Sequence, residues 1–135
     1  MLFFRWADAF ARKDTGSALS AFTDRDDLLV VNAGANTFRG KASVAAYVDA
    51  YKADAVVYEW LWESVESTNL VDVGWLFAEG TEIKTTPEGT RRLPYRVTLV
   101  VRCEEGDWRI VQFHGSSPRA LSQDPPNARK QPLST

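Results

Sequence analysis

The sequence predicts an α+β domain in which three N-terminal helices pack on a curved, mostly antiparallel sheet. Three observations predict it. Apolar residues recur at helical spacing through much of the first 55 positions, they alternate with a period of two from about Ala55 onward, and turn-forming residues cut the second stretch into four segments. Helices gathered early and strands gathered late are the pattern of a sheet covered on one face.

Each element has its own signal. Phe3, Trp6 and Phe10 share a helical face with Arg5, Asp8, Arg12 and Lys13 between them, so the first helix should close near Lys13. Asp14 or Thr15 can cap a shorter second helix carrying Ala18, Leu19 and Phe22 on one side, and Asp24 to Asp27 makes a polar break. Leu28 to Asn32 reads as a first strand and Ala33 to Thr37 as a turn. After Gly40 the run KASVAAYVDAYKA repeats Val44, Tyr47, Val48 and Tyr51 as a third helix. Strands over 55–65, 70–82, 95–103 and 107–115 then form a meander, with turns at Ser67 to Asn69, Pro87 to Gly89 and Glu105 to Asp107. Four of the six prolines fall in the last eighteen residues, so the domain is expected over 1–118 and a flexible tail over 119–135.

Composition narrows the function. The 135 residues fit a single domain, and sixteen Lys plus Arg against eighteen Asp plus Glu leave a net charge of -2, without the basic field that nucleic acid attracts. One cysteine, Cys103, and one histidine, His114, cannot build a disulfide framework or the His and Cys clusters of transition-metal sites, so neither a metal nor a cofactor is expected. The longest apolar runs, Leu28 to Val31 and Val97 to Val101, are too short to cross a membrane, and a cytoplasmic protein is expected. His114 falls with Gln112 on the mixed face of the last strand, and Cys103 has no partner to activate it, so neither reads as catalytic.

Parity along the strands separates a greasy face from a mixed one. Val73, Trp75, Phe77 and Glu79 share one side of their strand and Asp72, Gly74, Leu76 and Ala78 the other; the bulkier first set is expected to face the helices. Val97, Leu99 and Val101, then Val111 and Phe113, are expected on that same inner side, against Phe3, Trp6, Phe10, Phe22, Val44, Tyr47 and Tyr51. Glu79 is the anomaly there. Either the strand has reached the rim and the carboxylate points into water beside Lys84 or Arg91, or it enters a cavity with Asn32 and the aromatics Trp6, Tyr51 and Trp75. The expected ligand-binding set is Trp6, Asn32, Tyr51, Trp75, Glu79 and Phe113.

Three stretches carry a resemblance: DRDDLLVVN, NTFRGKASVAAYV and the closing hairpin YRVTLVVRCEEGDWRIVQFHGSSP. Together they resemble the nuclear transport factor 2-like superfamily, especially its SnoaL-like members, from Met1 to about Pro118. The hairpin's acidic-Gly turn, Trp and His-Gly-Ser are also similar to the association domain of calcium/calmodulin-dependent kinase. The resemblance implies a cone-shaped, cystatin-like fold whose sheet curves around a cavity. It also implies a choice among isomerases, dehydratases, cyclases, epoxide hydrolases and non-catalytic binding or assembly domains. By that resemblance Asn32 stands where ketosteroid isomerases carry an aspartate base, and an amide cannot take a proton. Glu79 lies near the strand position of a pocket arginine in the kinase domains, with the charge reversed. The expected function is binding of an apolar, oxygen-bearing small molecule in the cavity. The alternatives are a lyase, isomerase or cyclase on a polycyclic or polyketide-like substrate, and a dimeric assembly module. A homodimer is expected through the outer sheet face, where Arg96, Thr98, Arg102, Gln112 and His114 would interleave with apolar help from Val100, Ile110 and Leu76.

Overall fold

Glu105 and Gly106 both take positive φ, 53° and 87°, the backbone of a hairpin turn that matches the twist of its strands. That turn joins the last two strands of the computed structural model, which describes residues 2–34 and 36–117. The elements in chain order are α1 (Leu2–Ala11), α2 (Thr15–Ser20), β1 (Leu29–Val31), β2 (Thr37–Arg39), α3 (Lys41–Ala53), β3 (Val57–Asn69), β4 (Val73–Thr86), β5 (Gly89–Glu104) and β6 (Asp107–Ser116). They make an α+β domain with a six-stranded sheet in the order β2-β1-β6-β5-β4-β3, antiparallel except where β1 runs parallel to β6. Among the described residues, no helix is long and apolar enough to cross a membrane. The expected tail, 119–135, lies outside the described residues.

Local chemistry fixes the helix ends. α1 closes with Lys13 in the left-handed region at φ 59°, while the Asp14 N–H reaches back to the Ala9 carbonyl at 2.9 Å. Asp14 then caps α2, accepting from the Ser17 N–H at 3.3 Å. Gly40, at φ 80°, turns the chain into α3. β2, three residues paired with β1, was not anticipated: the stretch read as a turn from Ala33 to Thr37 is a hairpin tip whose second arm is too short to show alternation.

Two irregularities decide which residues face the helices. β3 shifts register between Trp62 and Ser64, and β5 and β6 shift between Val100 and Val101, where Val111 is the extra residue. Ile110 and Phe113 consequently both point inward, at 0% and 4% exposure. The expected parity of β4 is corrected outright. Leu76 and Ala78 are buried with Gly74, whereas Trp75 is 48% exposed on the outer side. Small residues under the helices let the layers approach, and bulk on β4 faces away from them. Ile110 and Leu76 therefore belong to the core and not to the outer face. Phe3, Trp6, Phe10, Phe22, Val44 and Tyr51 are buried as the helical stripes required, with Tyr47 partly so.

Candidate functional site

Between α1, α3 and the concave face of the sheet lies a cavity of about 370 Å³. α1 contributes Trp6 and Phe10 because residues four apart share a helical face; α3 contributes Tyr47 and Tyr51 for the same reason. Trp60 on β3, Tyr95 on β5 and Phe113 on β6 supply the floor. The rings brace one another: Trp6 lies 4.8 Å from Phe113 and 5.4 Å from Trp60, and Phe10 stacks on Tyr51 at 4.2 Å with the planes 2° apart. A wall built of interlocked rings is already in place before any ligand arrives.

The polar groups are few and placed by backbone geometry. Asn32 follows β1, and its Oδ1 accepts from the N–H groups of Gly34 (3.0 Å) and Asn36 (3.3 Å), shaping the hairpin tip. With that oxygen committed, the side chain's remaining hydrogen-bonding capacity is its NH2. Burial pushes the Tyr47 hydroxyl up in pKa, and the Asn32 side chain beside it acts in the opposite direction. Lys13 holds the α3 end of the wall: its Nζ donates to the carbonyls of Tyr51 (2.8 Å) and Asp54, and lies 4.3 Å from the centre of the Tyr51 ring.

Glu82 is the carboxylate that sequence reasoning missed. It sits on the inner side of β4, opposite Trp60, whose indole Nε1–H donates to Oε1 at 3.3 Å. Burial pushes its carboxyl above the ordinary value, with the Trp60 hydrogen bond and Lys84 pulling down. Its charge in turn adds to burial in raising the hydroxyls of Tyr47, Tyr58 and Tyr95, so it is the electrostatic centre of a tyrosine cluster.

The expected ligand-binding set divides accordingly. Trp6, Asn32, Tyr51 and Phe113 line this cavity together. Trp75 and Glu79 do not: both belong to the outer side of β4, and Glu79, its side chain 46% exposed, pairs with Arg96 across the strand at 3.3 Å. Glu79 thus points away from the cavity, as its solvent-facing reading had it, but beside Arg96 instead of Lys84 or Arg91. The available signal for Glu82 was its even parity with Leu76, Ala78 and Gly80. Among the described residues, no three His, Cys, Asp or Glu side chains are grouped to hold a metal ion.

A family model for the SnoaL-like domain matches residues 1–120. The chain belongs to the SnoaL-like domain family. Among solved structures, a protein of the NTF2-like family from Streptomyces avermitilis, proposed to be a dehydratase, superposes with a TM-score of 0.79 at 15% identity, over 88% of this chain and 92% of that one. An NTF2-like superfamily protein from Salmonella enterica serovar Typhimurium gives 0.76 at 13% identity, over 89% and 88%. A ketosteroid isomerase-like protein from Erwinia carotovora atroseptica gives 0.72 at 16%, over 88% and 92%. At these identities the likeness is one of fold. No curated protein is matched by the sequence.

Proposed function

We propose that this SnoaL-like domain binds a small, flat, largely apolar molecule bearing an oxygen, held in the aromatic cavity between α1, α3 and the sheet. The observation that carries the reading is the cavity's makeup: about 370 Å³ walled by braced rings, with a few convergent polar groups. Tyr47 and the Asn32 NH2 are the hydrogen-bond donors that would meet the ligand's oxygen, since Asn32 Oδ1 is spent on the hairpin tip. The test is a tryptophan fluorescence titration with steroid and polyketide-like ligands, because Trp6 and Trp60 both line the cavity. Binding should quench or shift the emission, and Tyr47→Phe should weaken it about 3- to 10-fold, the usual worth of one hydrogen bond. If no ligand of either class perturbs the emission, the reading fails.

Glu82 supports a second reading, a lyase, isomerase or cyclase acting on the same ligand class. A partly buried carboxyl whose proton affinity burial raises can donate and retrieve a proton, which the Asn32 amide cannot. A 3-ketosteroid isomerisation assay addresses it. Turnover that disappears in Glu82→Gln would establish catalysis; background rates in the wild type leave a binding domain. Assembly enters as a property of the outer sheet face. There Trp75, Phe77 and Val100 form an apolar strip flanked by Arg96 and Thr98, a surface suited to a second copy of the chain.

A further inference from the structure

Glu82, and at the exposed rim Asp54, are the acidic residues of a cavity whose lining contains neither lysine nor arginine among the described residues. A carboxylate has about four lone-pair directions. One is used, by the Trp60 indole N–H. The nearest lysine along the strand, Lys84, makes no ion pair with Glu82 among the described residues; its Nζ lies 5.8 Å from the centre of the Tyr58 ring. Lys13 stands 4.3 Å from the centre of Tyr51. Two rings of this wall therefore already hold ammonium groups at the separation where the negative face of an aromatic ring attracts a cation.

We propose that the ligand of this cavity carries a cationic nitrogen, a protonated or quaternary amine, seated between the Glu82 carboxylate and the faces of Trp60, Tyr58 and Tyr95. The proposal rests on the reading that the cavity binds a small molecule, and it names the second polar group of that molecule, the oxygen lying toward Tyr47 and Asn32. The physical reasoning is one of complementarity. A partly buried carboxylate with open lone pairs loses its remaining water when a ligand fills the cavity, and a neutral ligand leaves that cost uncompensated. A cation offsets it, and the rings add attraction that strengthens as the bound ligand displaces water. An alkylammonium suits this site better than a guanidinium or a metal ion. Its charge is spread over methyl or methylene groups that pack on ring faces, and among the described residues no third His, Cys, Asp or Glu joins the lining carboxylates Glu82 and Asp54 to make the oxygen cage a hard cation takes.

A matched pair of probes tests this: (4-hydroxybenzyl)trimethylammonium and its uncharged carbon isostere, 4-neopentylphenol. Both carry an oxygen and the same shape, and only one carries a charge. Isothermal titration calorimetry is run on the full chain, on Glu82→Gln and on Lys84→Met, with circular dichroism melts to establish that each variant folds. The wild type should bind the ammonium probe at least about tenfold more tightly than the isostere. Glu82→Gln should abolish that preference while still binding the isostere, and Lys84→Met, which removes a neighbouring positive charge, should keep or enlarge it. Equal or tighter binding of the isostere overturns the proposal and leaves small-molecule binding standing. A preference that survives in Glu82→Gln overturns it as well, because the cation would then be bound elsewhere. If neither probe binds, both the proposal and, for phenolic ligands, the binding reading fall. Should Glu82→Gln fail to fold, Tyr58→Leu replaces it: loss of a ring face must lower the ammonium affinity more than that of the isostere.

Discussion

Gly115 should be intolerant of a single added methyl group, and the reason is Tyr95. A Cβ at position 115 would come closer than 3.0 Å to the Tyr95 hydroxyl oxygen and lie 2.8 Å from its Cζ, where ordinary contact begins at 3.4 Å. The ring has little freedom to yield. Tyr95 is 5% exposed and packs against Trp60 and Trp62 at 5.8 and 6.0 Å, so relief requires moving it toward the cavity. Overpacking of this kind costs about 1–3 kcal/mol. We expect Gly115→Ala to lose about 2 kcal/mol, or roughly 6–12 °C in Tm for a domain of this size. Tyr95→Phe removes the nearest atom and leaves the Cζ contact, which is about 0.6 Å inside ordinary distance and so calls for a smaller displacement than the hydroxyl does. In that background the same alanine should cost about half as much or less, a coupling of the size expected for residues in direct contact. Urea unfolding followed by tryptophan fluorescence measures all four corners of the cycle. A Gly115→Ala protein within about 0.5 kcal/mol of wild type would refute the reasoning. So would an equal cost in both backgrounds.

The remaining predictions address other contacts. Arg102 donates to both oxygens of Asp27 (2.7 and 3.1 Å) and to Glu104 (2.8 Å). The Arg102 hydrogen bonds hold Asp27 below the ordinary carboxylate value; Glu104 is raised by burial but lowered further by Thr23 and Arg102. Because both folded-state values are depressed, their contribution is present above the ordinary values of 3.8 and 4.5 and is lost as pH falls through the lower folded ones; Arg102→Met should flatten that acid limb of a Tm-versus-pH curve. An unchanged limb would show that the ion pairs are solvated in both states. Lys13→Met should destabilise the fold by about 1 kcal/mol, since the ammonium bridges the α3 end to the α1–α2 turn, and unchanged urea unfolding would count against that bridge. Thr98→Glu should weaken a dimer formed through the outer sheet face, as should Trp75→Lys; light scattering that shows a wild-type monomer at roughly tens of micromolar would refute the dimer itself.

Elements that announce themselves by local chemistry were legible in the sequence. The stripe Phe3, Trp6, Phe10 marked α1, the Asp14-Thr15 pair marked the start of α2, where Asp14 proves to be the cap, and Glu105-Gly106 marked the last turn, because each feature acts within a few residues of where it is read. Strand ends were less legible. Ser67 to Asn69 was read as a turn from its small polar residues, yet those residues extend β3 and the turn falls at Leu70 to Asp72, where Val71 is 95% exposed. Pairing with β4 there outweighs the preference of Ser and Asn for turns, a tertiary effect that propensity does not contain.

The site turned on parity, and parity is where a strand's sequence is most ambiguous. An alternation such as Trp75, Phe77 against Leu76, Ala78 states which residues share a side but not which side meets the helices. Bulk is a misleading guide where the inner face must admit two large helical aromatics. Trp6 and Phe10 fill the space over the sheet, so the β4 positions beneath the helices are Leu76, Ala78 and Gly80, and Gly80 is itself required where a Cβ would strike the Leu61 backbone at the β3 bulge. Once the small residues define the inner face, Glu82 follows as the next inward position and Glu79 as an outward one, three residues and therefore one change of face apart. The same inference runs outward. A strand that keeps its small residues for its own core and turns Trp75 and Phe77 to the other side leaves an apolar strip that the described residues do not bury, and the hydrophobic effect favours covering such a strip, which is the physical ground of the Trp75→Lys test.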